Sequence, residues 1–165
     1  MLYSLGFFLF VALFIFISGI RVIKNGEVGV VFRMGKVLPD PRQPGLNIII
    51  AFTDKLIKIG VEPDHLDIPT FTSDSGENTQ LTVTASFDYQ VIDPIKAICN
   101  VENYQQATIL VAQKSIENVL GNLSYTDWRK DKAKITDRIR SDINDKTLSW
   151  GIDIRELMFK DVAVK

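Results

Sequence analysis

The stretch QLTVTASFDYQVI, residues 80–92, decides the fold class. Apolar and polar side chains alternate along its length, which is the period of a β-strand with one buried and one solvated face. The apolar set is Leu81, Val83, Ala85, Phe87, Tyr89 and Val91, and the polar set is Thr82, Thr84, Ser86, Asp88 and Gln90. We therefore expect a long strand whose odd-numbered residues enter a core.

Helical patterns follow this strand. Asp93-Pro94 predicts a capped helix start with proline in the first turn. A helix over 103–122 would end at Gly121-Asn122, and a second helix would run from the cap at Ser124 to Gly151. Each has an apolar stripe at helical spacing. The stripes are Ile109, Ala112, Ile116, Val119 and Leu123 in the first helix, and Ile135, Ile139 and Ile143 in the second.

Short strands precede the long one, and a further strand follows the helices. The sequence predicts strands at 28–33, 36–38, 55–61 and 65–69, with a turn at Gly35 and a proline-rich loop after residue 38. SDSGEN, residues 73–78, has the composition of a turn. Residues 152–164 predict a closing strand whose period slips near Glu156. This order predicts an α+β fold, with helices packed on one face of a mainly antiparallel sheet.

Residues 1–20, MLYSLGFFLFVALFIFISGI, contain no charged side chain. A helix of that length is about 30 Å long, which is roughly the thickness of the hydrocarbon core of a bilayer. No Lys or Arg precedes the run, and Ser18-Gly19-Ile20-Arg21 is a poor cleavage site, so we favour an uncleaved single-pass anchor over a signal peptide or a buried helix. Because Arg21 and Lys24 follow the run, the positive-inside bias favours a cytoplasmic body.

Charge is unevenly distributed in a chain whose net charge is -1. The segment 21–42 carries five basic residues, which are Arg21, Lys24, Arg33, Lys36 and Arg42. Beside an anionic membrane each such cation contributes ~1 kcal/mol of attraction, so we predict that these residues contact lipid headgroups. An ordinary solvated hairpin is the alternative. The segment 61–80 carries five acids and no base.

The sequence offers few residues for catalysis. His65 is the single histidine, and no nucleophile elbow, phosphate loop, dinucleotide fingerprint or metal-spaced Cys/His pair is present. We therefore expect no enzyme activity, no cofactor, no metal and no nucleic-acid partner. Cys99 lies in an apolar context, for which a buried thiol is the default expectation.

The order and spacing of several segments resemble one known family. The segments are an apolar anchor followed by GEVGVVFRMGKV, PGLN, DKLIKI, DIP and VIDPIKAICNVENY. Together they resemble the stomatin/prohibitin/flotillin family, also called SPFH or band 7. The later segments ATILVAQKSIENVLGN and WGIDIRELMFKDV are most similar to its stomatin-like, or slipin, branch. The resemblance covers residues 20–164.

The resemblance implies a membrane-anchored scaffold that forms homo-oligomeric rings or cages. Such assemblies organise membrane microdomains and modulate membrane proteases, channels or transporters. It also implies a domain over 21–165, of which about 21–70 rests on or dips into the membrane and about 71–165 forms a sheet-and-helix part. The apolar run would then contact lipid through Leu46, Ile48, Ile49, Ile50 and Phe52, although an ordinary core strand remains the alternative for this run.

Two features depart from the family pattern. The family commonly has proline in the apolar run after PGL, whereas this chain has Ala51. Members also continue into a long helix rich in Ala, Glu and Arg that builds a coiled-coil wall, and this helix is absent from a sequence that stops at Lys165. The sequence is thus either a fragment or a short member. A monomeric, membrane-tethered module that recruits one partner through the acidic stretch 61–80 is the alternative function.

Overall fold

The computed structural model describes residues 19–50, 52–75 and 79–164, and it divides the chain into a first unit, residues 1–61, and a second unit, residues 62–165. The anchor expected over residues 1–20 lies outside the described residues except for Gly19 and Ile20. No helix in the described ranges is both long enough and apolar enough to cross a bilayer.

The described residues of the first unit, 19–50 and 52–61, form two small antiparallel sheets. Its strands are β1 (Ile20–Ile23), β2 (Glu27–Arg33), β3 (Lys36–Val37), β4 (Gly45–Ile48) and β5 (Asp54–Gly60). One sheet pairs β1 with β4, and the other has the order β3-β2-β5. The expected strand, turn and return around Gly35 are confirmed, and Gly35 has a φ of 83°, in the left-handed region that favours glycine.

The proline-rich loop is tied to β2 at a glycine. Gly29 and Arg42 exchange two backbone hydrogen bonds of 2.9 and 2.7 Å. A Cβ on Gly29 would lie 2.6 Å from the Cδ1 atoms of both Ile23 and Leu56. The absence of a side chain at this position therefore lets the side chains of Ile23 in β1 and Leu56 in β5 lie close against β2.

The second unit is built on one antiparallel sheet. Its strands are β6 (Asp64–Asp74), β7 (Gln80–Val91) and β8 (Ile152–Val164), in the order β6-β7-β8. The odd-numbered residues of β7 are all buried, as the alternation predicts, but Ser86, which was expected on the solvated face, is also fully buried. β6 is longer than expected. A bulge between Ile68 and Phe71 accommodates Pro69, so the strand continues beyond the proline and into the start of the predicted turn at 73–78.

Two irregularities in β8 explain its broken alternation. The register with β7 shifts opposite Thr84/Ala85 and again opposite Asp88/Tyr89. These shifts leave Lys160 and Arg155 without a partner position on β7. Each bulge adds one residue to the strand, so the side chains after it change face. The slip predicted near Glu156 is confirmed.

The helices are α1 (Pro94–Cys99), α2 (Tyr104–Leu120), α3 (Tyr125–Lys130) and α4 (Lys132–Thr147), and a 3-10 turn follows at Leu148–Trp150. The single helix expected from Ser124 to Gly151 is wrong, because the chain breaks at Asp131, where φ is -121°. The break allows Trp128 to pack edge-on against Phe159, with ring centroids 4.6 Å apart, while α4 directs its isoleucine stripe inward.

Two sequence expectations about burial need correction. The buried side of α2 is centred on Thr108, Ala112, Ser115, Ile116 and Leu120, and Ile109 and Val119 are half-buried. The polar members of this side have partners, since Thr108 Oγ1 donates to Tyr104 O at 2.7 Å and Lys146 Nζ donates to Ser115 Oγ at 2.9 Å. Hydrophobic periodicity alone could not identify these two polar residues as buried. Cys99 is exposed, so the expected buried thiol is wrong.

We expect Phe87→Ala to lower the free energy of unfolding by ~3–5 kcal/mol, because the side chain is fully buried at the centre of β7 and its removal leaves a cavity. Thr84→Ala, on the half-exposed face of the same strand, removes only one hydrogen bond to Thr70, so we expect a loss of ~1 kcal/mol or less. Urea unfolding of both variants measures the difference. Equal losses would contradict the assignment of the two faces.

Candidate functional site

The two-stranded sheet of the first unit has an exposed apolar face. In its register Ile20 lies opposite Ile48, and Val22 lies opposite Leu46. Residues directly opposite each other in an antiparallel pair share a face, so these four side chains lie together. Val22, Leu46 and Ile48 are 54–69% exposed. An apolar face therefore points away from the first unit's interior.

The opposite face of the same sheet packs inward. Ile23 is 2% exposed and is paired with Gly45, and its Cδ1 atom occupies the space above Gly29 in β2. Ile49, which follows β4, is also buried, and its N–H donates to Gly19 O at 2.8 Å. Ile23 thus attaches one face of the sheet to β2, whereas Val22, Leu46 and Ile48 on the other face stay more than half exposed among the described residues of the first unit.

Two neighbouring turns carry the most exposed large apolar side chains of the first unit. Met34 and Phe52 are 82% and 81% exposed, and the N–H of Met34 donates to Thr53 O at 2.9 Å. Met34 has a φ of 49°, which is uncommon for a residue with a Cβ and costs conformational energy. This conformation holds a long apolar side chain in solvent beside the turn that contains Phe52.

A bidentate ion pair fixes the turn at Phe52. The Nε and Nη2 atoms of Arg33 donate to the two carboxylate oxygens of Asp54, both at 2.9 Å. Asp54 also accepts hydrogen bonds from the N–H of Ile50 at 3.2 Å and from Thr53 Oγ1 at 3.0 Å. The Arg33 guanidinium, together with these two donors, holds the pKa of the Asp54 carboxyl well below its usual range.

Most of the apolar residues chosen from sequence are exposed, and one is not. Leu46, Ile48, Ile50 and Phe52 are all more than half exposed, whereas Ile49 is 7% exposed and belongs to the interior of the first unit. We call the exposed apolar set the six residues Val22, Met34, Leu46, Ile48, Ile50 and Phe52. Sequence reasoning missed Val22 and Met34, although the alternation in β1 and the position of Met34 in a turn were available as signals.

The five predicted basic residues differ in their surroundings. Arg21, Lys24 and Lys36 are exposed. Arg33 is paired with Asp54, and Arg42 is half-buried with an Nε atom that has no hydrogen-bond partner in the part of the chain that the structure describes. Residues 1–61 carry seven Lys or Arg against three Asp or Glu, so the first unit is basic as a whole.

The single histidine is not arranged for catalysis. His65 lies on β6, with Nδ1 2.7 Å from Asp88 Oδ1 and Nε2 3.3 Å from Asp67 Oδ1. The hydrogen bond to Asp88 is the main cause of a raised His65 pKa, and Lys160 lowers the pKa of Asp67. Because both ring nitrogens face carboxylates, neither is directed at a nucleophile. This cluster links β6, β7 and β8 on the solvated face of the sheet.

Comparison with known proteins identifies the family. The family model described as "SPFH domain / Band 7 family" matches residues 21–165.

The chain belongs to the SPFH/Band 7 family.

Several relatives of this SPFH chain are known. A stomatin homologue of Pyrococcus horikoshii is 30% identical over 169 residues, which cover 99% of this chain and 63% of the homologue. Mouse stomatin is 30% identical over 146 residues, which cover 88% of this chain and 51% of stomatin. An uncharacterized protein of Methanocaldococcus jannaschii is 31% identical over 152 residues, which cover 92% of this chain and 76% of the relative. The chain thus spans about half to three quarters of the length of these relatives.

We expect Asp54→Asn to lower the melting temperature of this SPFH protein at pH 7, because it removes a carboxylate that receives four hydrogen bonds. A carboxyl whose pKa is lowered by folding stabilises the native state above its unfolded pKa of about 3.9, and this stabilisation is lost as the pH falls below that value. Thermal melts between pH 7 and pH 2 should therefore show a shallower acid destabilisation in the variant than in the wild type.

Asp40→Asn is the matched control, since Asp40 is an exposed carboxylate in the same unit. It should melt as the wild type does across this range. An Asp54→Asn protein with the wild-type melting temperature and the wild-type acid dependence would contradict the role given to the ion pair.

Proposed function

We propose that this SPFH protein is a membrane-associated scaffold whose first unit rests on the bilayer surface. The exposed apolar set is the observation that carries the proposal. Six large apolar side chains, each at least 52% exposed, lie in a unit that is also basic. A large apolar surface beside positive charge is suited to the boundary between headgroups and acyl chains.

The energetics favour shallow insertion. Complete burial of a side chain such as Leu or Phe contributes ~1.5–3 kcal/mol. Because Leu46 and Phe52 are 69% and 81% exposed, moving their exposed parts out of water contributes ~2–4 kcal/mol together. The backbone groups that point between Ile20–Ile23 and Gly45–Ile48 bond to each other, which lowers part of the cost of bringing this sheet near the hydrocarbon. The outer edges of the two strands would stay at the level of the headgroups, so insertion is shallow.

The exposed cations provide a second attraction. Arg21, Lys24 and Lys36 each contribute ~1 kcal/mol near an anionic leaflet, and this contribution is screened by salt. Arg33 contributes less, because its charge is compensated by Asp54. We propose that these three exposed residues are the main headgroup contacts, and that Arg42 acts chiefly through the backbone bonds that hold the proline-rich loop on β2.

Residues 1–20 would hold the protein to the membrane permanently. Their uncharged, apolar composition supports a single-pass anchor, and the two cations that follow support a cytoplasmic body. The segment ends where β1 begins, so the anchor would deliver the first unit directly to the bilayer surface.

Self-association and the modulation of a membrane protease, channel or transporter complete the proposal. Family membership supports both. The alternative is a monomeric tethered module that recruits one partner through its acidic stretch, which is supported by the five acids Glu62, Asp64, Asp67, Asp74 and Glu77. The mass of the detergent-solubilised full chain distinguishes them, since a scaffold must run as a multimer.

We expect Leu46→Asp with Phe52→Asp to weaken the apolar attraction of the first unit to the bilayer surface. The protein lacking residues 1–18 is used, because a spanning anchor would hide a weaker contact. In co-sedimentation with vesicles at 0.5 M salt, loss of ~2–4 kcal/mol of apolar transfer lowers binding on the order of a hundredfold. Ile92→Asp with Leu148→Asp, which alters two exposed apolar residues of the second unit, is the matched control and should bind as the parent does.

Reversal of Arg21, Lys24 and Lys36 to Glu tests the electrostatic part in the same assay. It should weaken binding to vesicles that contain anionic lipid at 0.1 M salt, and have little effect on the residual apolar binding at 0.5 M salt. Binding that is unaffected by both sets of changes, in proteins whose circular dichroism is unaltered, would contradict contact through the first unit.

A further inference from the structure

A groove runs along the outer edge of β8 in the second unit. It has a volume of about 790 Å³ and is bordered by the first two turns of α4 and by residues 155–159 of β8. Leu157 and Met158, whose side chains lie on opposite faces of the sheet, both border it. A space that touches both faces of a strand lies at the edge of that strand.

The outer edge of β8 is covered by α4 at one end, and the rest of this edge has no paired strand among the described residues. The side-chain oxygen of Asn144 accepts a hydrogen bond of 2.9 Å from the N–H of Ile154, which satisfies the strand where α4 covers it. Beyond that residue no strand of the described ranges pairs with the outer edge of β8. A second groove of about 330 Å³ shares Lys132 and Phe159 with the first and continues along the strand to Val162. The open edge is therefore a template for a further strand.

The groove is basic in a unit that is acidic. Residues 62–165 carry seventeen Asp or Glu against twelve Lys or Arg. The two grooves nevertheless contain five cations and three anions. The cations are Arg129, Lys132, Arg140, Arg155 and Lys160, and the anions are Asp137, Glu156 and Asp161. Arg140, Arg155 and Lys160 are paired with Asp137, Asp153 and Asp67 of the same chain, so the charge available to a partner comes mainly from Arg129 and Lys132. Arg129 and Lys132 are exposed and form no ion pair with any described residue.

The opposite edge of the same sheet is acidic. Three acids, Asp64, Asp67 and Asp74, lie in β6, and Glu62 precedes the strand by two positions. Residues 62–80 contain no Lys or Arg. The stretch Asp64–Ile68 pairs regularly with β7 before the bulge at Pro69, so five residues of β6 present a regular outer edge. The sheet thus has one acidic and one basic edge.

We propose that the β8 groove of one copy receives the β6 edge of a second copy of this chain. This inference rests on the self-association in the proposed function and names the surfaces that produce it. Backbone hydrogen bonds between the two edges would extend the sheet, and the opposite charges would select the pairing of β6 with β8 over the pairing of like edges. Because the two surfaces differ, the contact is head-to-tail, and its repetition generates a ring or a filament.

The test uses two charge-reversed variants of the full chain in detergent, with mass photometry as the readout. The groove variant carries Arg129→Glu and Lys132→Glu, and the edge variant carries Glu62→Lys and Asp64→Lys. Each variant alone loses the opposite charges between its groove and its β6 edge at the substituted positions, so we expect its self-association to weaken at least tenfold. In an equimolar mixture the reversed groove meets the reversed edge, opposite charges face each other again at these positions, and multimers should reappear.

Lys114→Glu with Arg138→Glu makes the same change in net charge outside the groove and should assemble as the wild type does. Recovery on mixing also shows that both variants are folded. Two results would contradict the β6–β8 contact but not the scaffold. One is a multimeric wild type with both variants assembling as well as it does, and the other is folded variants that do not form multimers when mixed. A wild-type chain that is monomeric would overturn both the contact and the proposed scaffold.

Discussion

Among the described residues of the first unit, protein covers only one face of the two-stranded sheet formed by β1 and β4. The pair of β1 and β4 is marginally stable in water by itself. Ile23 inserts above Gly29 and attaches one face to β2, while Val22, Leu46 and Ile48 remain uncovered on the other. A bilayer surface would cover the second face. The same sheet would then be stabilised by protein on one side and by lipid on the other.

The division of charge is consistent with two different roles for the two units. The first unit is basic and displays the exposed apolar set, so its chemistry suits an anionic, partly apolar surface. The second unit is acidic overall, and no strand in the described ranges pairs with the outer edge of β6 or of β8. Contact with lipid and contact with other copies would therefore use separate parts of the chain.

The sequence predicted the features that depend on local periodicity. The alternation in residues 80–92 identified the central strand and the apolar side chains that it buries, although not the buried Ser86, and Asp93 and Ser124 act as the predicted helix caps. Features that depend on tertiary contacts were not predictable in this way. The break at Asp131 accompanies the packing of Trp128 on Phe159, and the Arg33–Asp54 pair joins residues that are twenty-one positions apart. The prediction that Ile49 contacts lipid was wrong because the whole apolar run was assigned to the membrane. In an extended backbone successive side chains alternate, so Ile48 and Ile50 point outward and Ile49 points inward.

The central claim is that the turn at residue 52 enters the membrane, and depth-dependent fluorescence quenching tests it most directly. Phe52→Cys and Ile92→Cys, each combined with Cys99→Ser, place one environment-sensitive fluorophore on an exposed position of the first or the second unit in the full chain. After reconstitution into vesicles, the probe at residue 52 should be quenched by lipids with brominated acyl chains and protected from aqueous iodide, and the probe at residue 92 should show the reverse. Equal iodide quenching at the two positions, without acyl-chain quenching at residue 52, would contradict the account.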